Sequence, residues 1–376
     1  MSAATPSWAD PAPPVLNIPL LDRLRLAPGF VPLNDLPGDP RATIADLDAL
    51  AAFGFALERR EDGAVAYRGP SPRLCPDQIE HRLGTSRIGR RLAVWNRVGS
   101  TNDAAAKGAA TIANDGLVVM AEEQTSGRGR RGRSFVAPER SSLLMSVLLF
   151  PPSELAPLGP GSAAGVAWLT VVGAVAVAEL VSERTGRRAR IKWPNDVRVD
   201  GRKICGVLVE RAIRPPGADG PETAVVVGIG LNVNVAEADF PPELRDAATS
   251  LRILSGRDFD RSDLARDLIR RLDHWYDASL REGRSPLSSA WRDGCEHLGR
   301  PVRVTAASGA LTGRLVDVDL ELGLTLEPEP PPEATGPVGL VRIPLGAVVS
   351  LDPLPTPQPD FAGAPGGNEV ECRIET

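Results

Sequence analysis

Four arginines crowd the seven residues Gly127-Arg128-Gly129-Arg130-Arg131-Gly132-Arg133. Guanidinium forks and exposed backbone N–H groups both match phosphate oxygens, so the stretch reads as an anion-binding loop. Several chemistries compete for it. Gly127-x-Gly129-x-x-Gly132 satisfies the dinucleotide fingerprint and follows a strand-like run, Leu117–Ala121. That fingerprint needs a helix opening at its last glycine, and Ser134-Phe135-Val136-Ala137-Pro138 opens none. A second reading is an RGG-like nucleic-acid segment, though only one short run is present. A third is a loop that folds over the phosphate of a bound nucleotide or acyl-adenylate. A solvated basic turn is the plain alternative.

Other polar signals accompany it. Ser100-Thr101-Asn102-Asp103 precedes an alanine run and is, on its own, the N-cap signature of a helix. Ile191-Lys192-Trp193-Pro194-Asn195-Asp196-Val197 sets Lys, Asn and Asp beside an apolar Trp-Pro pair, and Asp200-Gly201 then turns the chain into a return strand beginning near Lys203. Gly206 inside that strand implies the close approach of a ligand or another backbone. Gly228-Ile229-Gly230-Leu231-Asn232 ends a buried strand on polar residues where a ligand could sit.

The elements that must position these residues follow from pattern. Residues 1–15 and 353–376 are Pro-, Gly- and acid-rich without apolar period, and are expected to be disordered. Residues 16–70 read as helices followed by a hairpin. Thr43–Phe55 places Ile44, Leu47, Leu50 and Ala51 on one face, and Asp62-Gly63 turns between two short strands, the outline of a small winged-helix-like module. Residues 88–294 alternate strands and helices. Apolar runs at Leu117–Ala121, Leu143–Phe150, Ile204–Val209 and Ala224–Val227 are strands, Ala163–Arg184 is a long buried helix, and Ser262 caps a second helix to Glu282. Residues 295–352 hold short β runs at turn-rich spacing, enough for a compact barrel of about five strands. The expected class is α+β.

Composition narrows the function. The chain has 376 residues, 42% hydrophobic and 24% charged, with a net charge of −5. Bulk electrostatics therefore draws neither nucleic acid nor an anionic membrane. Cys75, Cys205, Cys295 and Cys372 form no C-x-x-C pair and His81, His274 and His297 are dispersed, so no thiolate or histidine metal site is indicated. A reducing cytoplasm fits. No signal peptide is visible, and the apolar run at 163–178 is too short to span a membrane.

Taken in order, Ser100-Thr101-Asn102, Gln124-x-x-Gly127-Arg128-Gly129-Arg130-Arg131-Gly132-Arg133, Lys192-Trp193-Pro194-Asn195-Asp196, Lys203-x-x-Gly206 and Gly228-x-Gly230-x-Asn232 resemble biotin-protein ligases over about Ile88 to Leu351. The resemblance implies a central mixed sheet with helices, of the class II aminoacyl-tRNA synthetase and biotin ligase kind, with an SH3-like C-terminal barrel. It implies formation of biotinyl-5′-AMP from biotin and ATP, with Mg²⁺ on the phosphates, and transfer to a lysine of a biotin carboxyl carrier protein. By the same resemblance Ser100, Thr101, Asn102 and Gln124 surround the biotin head group. Arg128, Gly129 and Arg130 line the carboxylate and phosphate path, Lys203 meets the reacting groups, Gly206 lets biotin pack on the strand, and Asn232 faces the nucleotide. Asp196 is the candidate base or orienting carboxylate. Where the family commonly has a Trp over adenine, this chain has Phe135.

Some members carry a DNA-binding winged helix. Here residues 1–88 hold nine basic and eleven acidic residues, a balance that does not favour a DNA grip. A biotin-responsive regulator, a lipoate or octanoyl transferase and a plain nucleotide-binding module are the competing functions. A homodimer through an exposed strand edge is a further expectation.

Overall fold

The computed structural model describes residues 15–152, 155, 163–328 and 339–354. The expected disordered ends therefore lie outside the described residues, except for Val15, Pro353 and Leu354.

The chain begins with α1 (Ile18–Leu26) and α2 (Pro40–Phe53). Each starts where a polar side chain accepts from freed backbone N–H groups: Asn17 from Leu20, and Asp39 from Arg41 and Ala42. Gly54, at φ 112°, stops α2 in the left-handed conformation. The buried face of α2 is Thr43, Leu47, Leu50 and Phe53, which corrects the expected face: Ile44 and Ala51 are exposed. At about 100° per residue the Thr43–Leu47–Leu50 line cannot include both neighbours, and packing in the N-terminal core selects it. Strands β1 (Ala56–Arg59) and β2 (Val65–Gly69) form the expected hairpin, and α3 (Pro76–Glu80) leads out.

The central sheet is built from β3 (Leu92–Val98), β4 (Val118–Gln124), β5 (Ser142–Leu149), β6 (Arg190–Lys192), β7 (Asp196–Val199), β8 (Arg202–Ala212) and β9 (Ala224–Asn232), in the order β3-β4-β5-β9-β8-β7-β6. Only β3 and β4 are parallel; every other pair is antiparallel. Mixed α+β is thus the class. The Asp200-Gly201 turn expected from sequence joins β7 to β8, whereas β3 and β6 carry no strand expectation, β3 being a half-buried edge strand and β6 only three residues long.

Helix α4 (Thr101–Ala106) lies against β4, β5 and β9 on one face. The opposite face carries α5 (Ala163–Thr185), α7 (Arg261–Arg281) and α8 (Ser285–Gly294), with the main core between. Short α6 (Leu251–Ser255) precedes α7, whose N-cap is Asp260 rather than Ser262: its carboxylate accepts from the Ser262 and Asp263 N–H groups. Being short, α4 covers only part of its face, and a cavity opens beside it.

The C-terminal unit is one antiparallel sheet of β10 (Pro301–Ala306), β11 (Gly309–Asp319), β12 (Gly323–Pro328), β13 (Val341–Ile343) and β14 (Val348–Pro353), ordered β13-β12-β11-β10-β14. These are its five strands among the described residues. A buried ion pair joins the N-terminal segment to the sheet: Arg261 bonds Glu122 of β4 and the carbonyls of Pro72 and Ser142, while Glu122 also accepts from Leu74 N–H.

Candidate active site

Polar residues are the floor of the cavity. Thr101 donates to Gln124 Oε1 through its N–H at 2.7 Å and its hydroxyl at 3.0 Å. Ser146 donates to Asn102 Oδ1 at 2.6 Å and lies 2.8 Å from the Thr101 hydroxyl. Asn102 Nδ2 donates to Glu210 Oε2 at 2.6 Å. Thr101, Asn102 and Ser146 are buried, where an unmade hydrogen bond is costly, and Gln124 and Glu210 are half-buried beside them, so each fixes its neighbour. Ser100 holds the N-cap position of α4 without a side-chain capping bond, which leaves its hydroxyl to the cavity wall.

Bare backbone lets this floor approach the sheet. Gly206 faces Gly230 across β8 and β9, and Gly228 faces Ser146 and Leu208. A Cβ on Gly228 would lie 2.2 Å from Asn102 Oδ1, and one on Gly230 would lie 2.7 Å from the tip of the Phe135 ring. At Gly206 it would press within 3.2 Å of the Lys203 ammonium, so the close approach inferred from sequence involves at least that side chain.

The cavity, about 280 Å³, is lined by Ser100, Thr101, Asn102, Gln124, Arg128, Gly129, Arg130, Phe135, Asp196, Lys203 and Gly206. Every residue nominated from sequence is therefore on its wall except Asn232. Asn232 is buried behind it and donates to the Thr249 carbonyl at 3.0 Å, which ties the end of β9 to the loop before α6.

The cations divide into two kinds. Lys203 pairs with Asp196 at 2.5 Å across the β7–β8 hairpin. Arg128 pairs with Asp103 at 2.7 Å and Glu210 at 3.0 Å, so its guanidinium, expected on the carboxylate path, is directed to protein carboxylates instead. Two anions in reach outbid the open cavity for that charge. Arg130 has no hydrogen-bond or ion-pair partner among the described residues. Partial desolvation at the wall, with Arg131 nearby, lowers the pKa of this otherwise exposed side chain, and Asp196 opposes this.

The loop folds back on itself through Gly129 N–H to Arg133 carbonyl and Phe135 N–H to Gly127 carbonyl. Arg131 and Gly132 make its tip at φ 57° and 72°, and Arg131 donates to the Val349 carbonyl of β14 at 2.7 Å. The loop is thus held partly by protein contacts, not by a ligand's charge alone.

Sequence reasoning assigned no role to Lys192, Ser146, Glu210 or Gly228, nor to Ser350, Leu351 and Asp352, although all but Ser146 and Glu210 line the cavity. Ser146 had a signal, a lone hydroxyl inside an apolar strand. The β14 residues had none, since tertiary folding brings them in. Among the described residues no group of three or more His, Cys, Asp or Glu is placed to hold a metal. No described helix is long and apolar enough to cross a membrane.

Residues 94–232 match the Biotin/lipoate A/B protein ligase family. The chain is 30% identical over 299 residues to the bifunctional ligase/repressor BirA of Bacillus subtilis, covering 78% of this chain and 87% of that protein. It is 33% identical over 269 residues to the biotin–[acetyl-CoA-carboxylase] ligase of Mycobacterium tuberculosis, covering 68% and 92%. The chain belongs to the biotin/lipoate A/B protein ligase family. The biotin protein ligase of Aquifex aeolicus, solved in complex with biotin and ATP, superposes on this family member with a TM-score of 0.57 and 26% identity, over 70% of this chain and 100% of that one. The matched region holds the polar floor, the arginine-rich loop and the β7–β8 hairpin.

Proposed function

We propose that this protein activates biotin with ATP to biotinyl-5′-AMP and transfers the biotinyl group to one lysine of a biotin carboxyl carrier protein. The observation that carries the reading is the meeting, in one cavity, of a fixed amide-and-hydroxyl floor with Arg130, Lys192 and Lys203. Ser100, Thr101, Asn102 and Gln124 hold the polar head group. A biotin carboxylate oxygen attacks the α-phosphorus, forming the P–O bond of the adenylate as pyrophosphate leaves with its electron pair. Two anions must meet, so preorganised cations at Arg130 and Lys203 lower the barrier. The acceptor amine then attacks the acyl carbon and AMP departs. Asp196, beside Lys203, accepts or orients the amine proton.

Gly206 leaves room for the biotin chain, Gly129, whose N–H closes the loop onto the Arg133 carbonyl, keeps bare backbone at the cavity wall, and Phe135 on Gly230 offers a smaller stacking face to adenine than Trp would. Asn232 acts on the nucleotide side by holding the Thr249 carbonyl. Mg²⁺ would travel on the β- and γ-phosphates, with Asp352 as the carboxylate on that wall. When bound it shields phosphate charge.

Residues 16–70 are read as winged-helix-like, 88–294 as catalytic and 295–352 as SH3-like, in a cytoplasmic protein. The outer edge of β3 is the strand for a homodimer or carrier contact. The test is purified protein with labelled biotin, MgATP and a carrier domain, with labelled lipoate as the competing substrate. Biotin incorporation supports the reading; lipoate incorporation alone overturns it. A repressor role is favoured by the BirA relatives and the helix–hairpin outline. It is opposed by arginines already engaged, Arg59 with Asp48, Arg68 with Glu58 and Arg25 with Asp263. Gel-shift titration on its biotin-operon promoter, at low salt with biotin and ATP, decides it.

A further inference from the structure

Arg128 stands at the entry of the arginine-rich loop. Its two terminal nitrogens fork onto the two oxygens of Asp103, each at 2.7 Å, and one of them also lies 3.0 Å from Glu210. Asp103 follows Asn102 in the first turn of α4. Glu210 stands on β8 and accepts from Asn102. Neither carboxylate lines the cavity, so neither is placed to touch a ligand there. The loop entry is thereby tied to the two elements that fix Asn102, while the tip is tied to β14 through Arg131.

We propose that Asp103 and Glu210 form a two-carboxylate latch on Arg128 that holds the loop entry over the cavity, making Arg128 a positioning residue and leaving Arg130 as the loop's cation for the ligand. An isolated exposed ion pair is worth little, but here one guanidinium is held bidentately and shared by carboxylates on two different elements. Asp103 responds as a latched group should: its hydrogen bond with Arg128 lowers its pKa. The functional half of the test rests on the ligase reading; the structural half does not.

The experiment uses the full chain carrying Asp103→Asn, and separately Asp103→Asn with Glu210→Gln. Limited trypsin digestion of ligand-free protein, mapped by mass spectrometry, reads loop opening. Initial cleavage within 128–133 is expected to rise about threefold to tenfold in the single variant, and further in the double, with cleavage elsewhere unchanged. Release of labelled biotinyl-AMP should quicken by a similar factor while biotin affinity in Asp103→Asn stays within about twofold of wild type. Asp103→Glu, which keeps the charge, should restore both. Unchanged loop cleavage in the double variant overturns the latch. So does a loss of biotin affinity equal to the loss of adenylate retention, since Asp103 would then be supporting the floor. If wild type forms no adenylate the ligase reading fails, and the cleavage arm still decides the latch.

Discussion

Gly228→Ala probes the site's floor through one methyl group. That group would arrive 2.2 Å from Asn102 Oδ1, 2.9 Å from its Cγ and 3.0 Å from its Nδ2, so the amide must move. Asn102 is poorly free to do so. It is 6% exposed, accepts from Ser146 at 2.6 Å and donates to Glu210 at 2.6 Å. Displacement breaks a neutral hydrogen bond worth about 0.5–1.5 kcal/mol and a charge-assisted one worth about 1.5–3 kcal/mol. The expected loss at the head-group floor is thus about 2–4.5 kcal/mol, or ~30- to 2000-fold in biotin affinity. Gly99→Ala is the control, because a Cβ there meets nothing within 4 Å. Isothermal titration with biotin on both variants measures the difference, and the far-UV spectrum confirms that each is folded. If Gly228→Ala binds biotin within about threefold of wild type, the floor does not hold the head group and the reasoning fails.

Arg130→Ala should reduce ATP–pyrophosphate exchange ~100- to 1000-fold with little change in thermal midpoint, because Arg130 has no hydrogen-bond or ion-pair partner among the described residues; near-normal exchange would place the essential charge elsewhere. Glu122→Gln leaves Arg261 buried with its charge uncompensated, the two side chains being only 3% and 4% exposed, and should cost about 3–5 kcal/mol in a denaturant titration; an unchanged midpoint would show that the pair carries no weight. His297 is buried with neither ring nitrogen partnered among the described residues, and burial, together with Lys192, Arg300 and Arg198 and against Asp352, pushes it down to about 4. The unfolded chain therefore binds its proton first as pH falls. His297 contributes stability that is whole above pH ~6.5 and is lost toward pH ~4, roughly 3 kcal/mol in all. His297→Leu should flatten that slope, and an equally steep acid loss in the variant would remove His297 as its source.

Much of the site could be read in the sequence because its chemistry is local. Arg130 sits among glycines, Lys203 follows a turn, and Thr101 precedes an alanine helix; each spacing places a polar group at the end of an element. Strand and helix types followed from the length of unbroken apolar runs, as in α5 and β5. The face of α2 did not, because Ile44 and Leu47 are equally apolar and only packing in the N-terminal core separates them.

The sequence by itself determined which charges and amides are available and the elements that carry them, since turn chemistry and hydrophobic period act over a few residues. Tertiary structure alone decided which charges remain free. Asp103, Glu210 and Arg128 meet across 25 and 82 positions of chain, and Ser350 to Asp352 reach the cavity only because β14 packs beside the loop. Coulomb attraction depends on distance in space, and folding, not sequence separation, sets that distance.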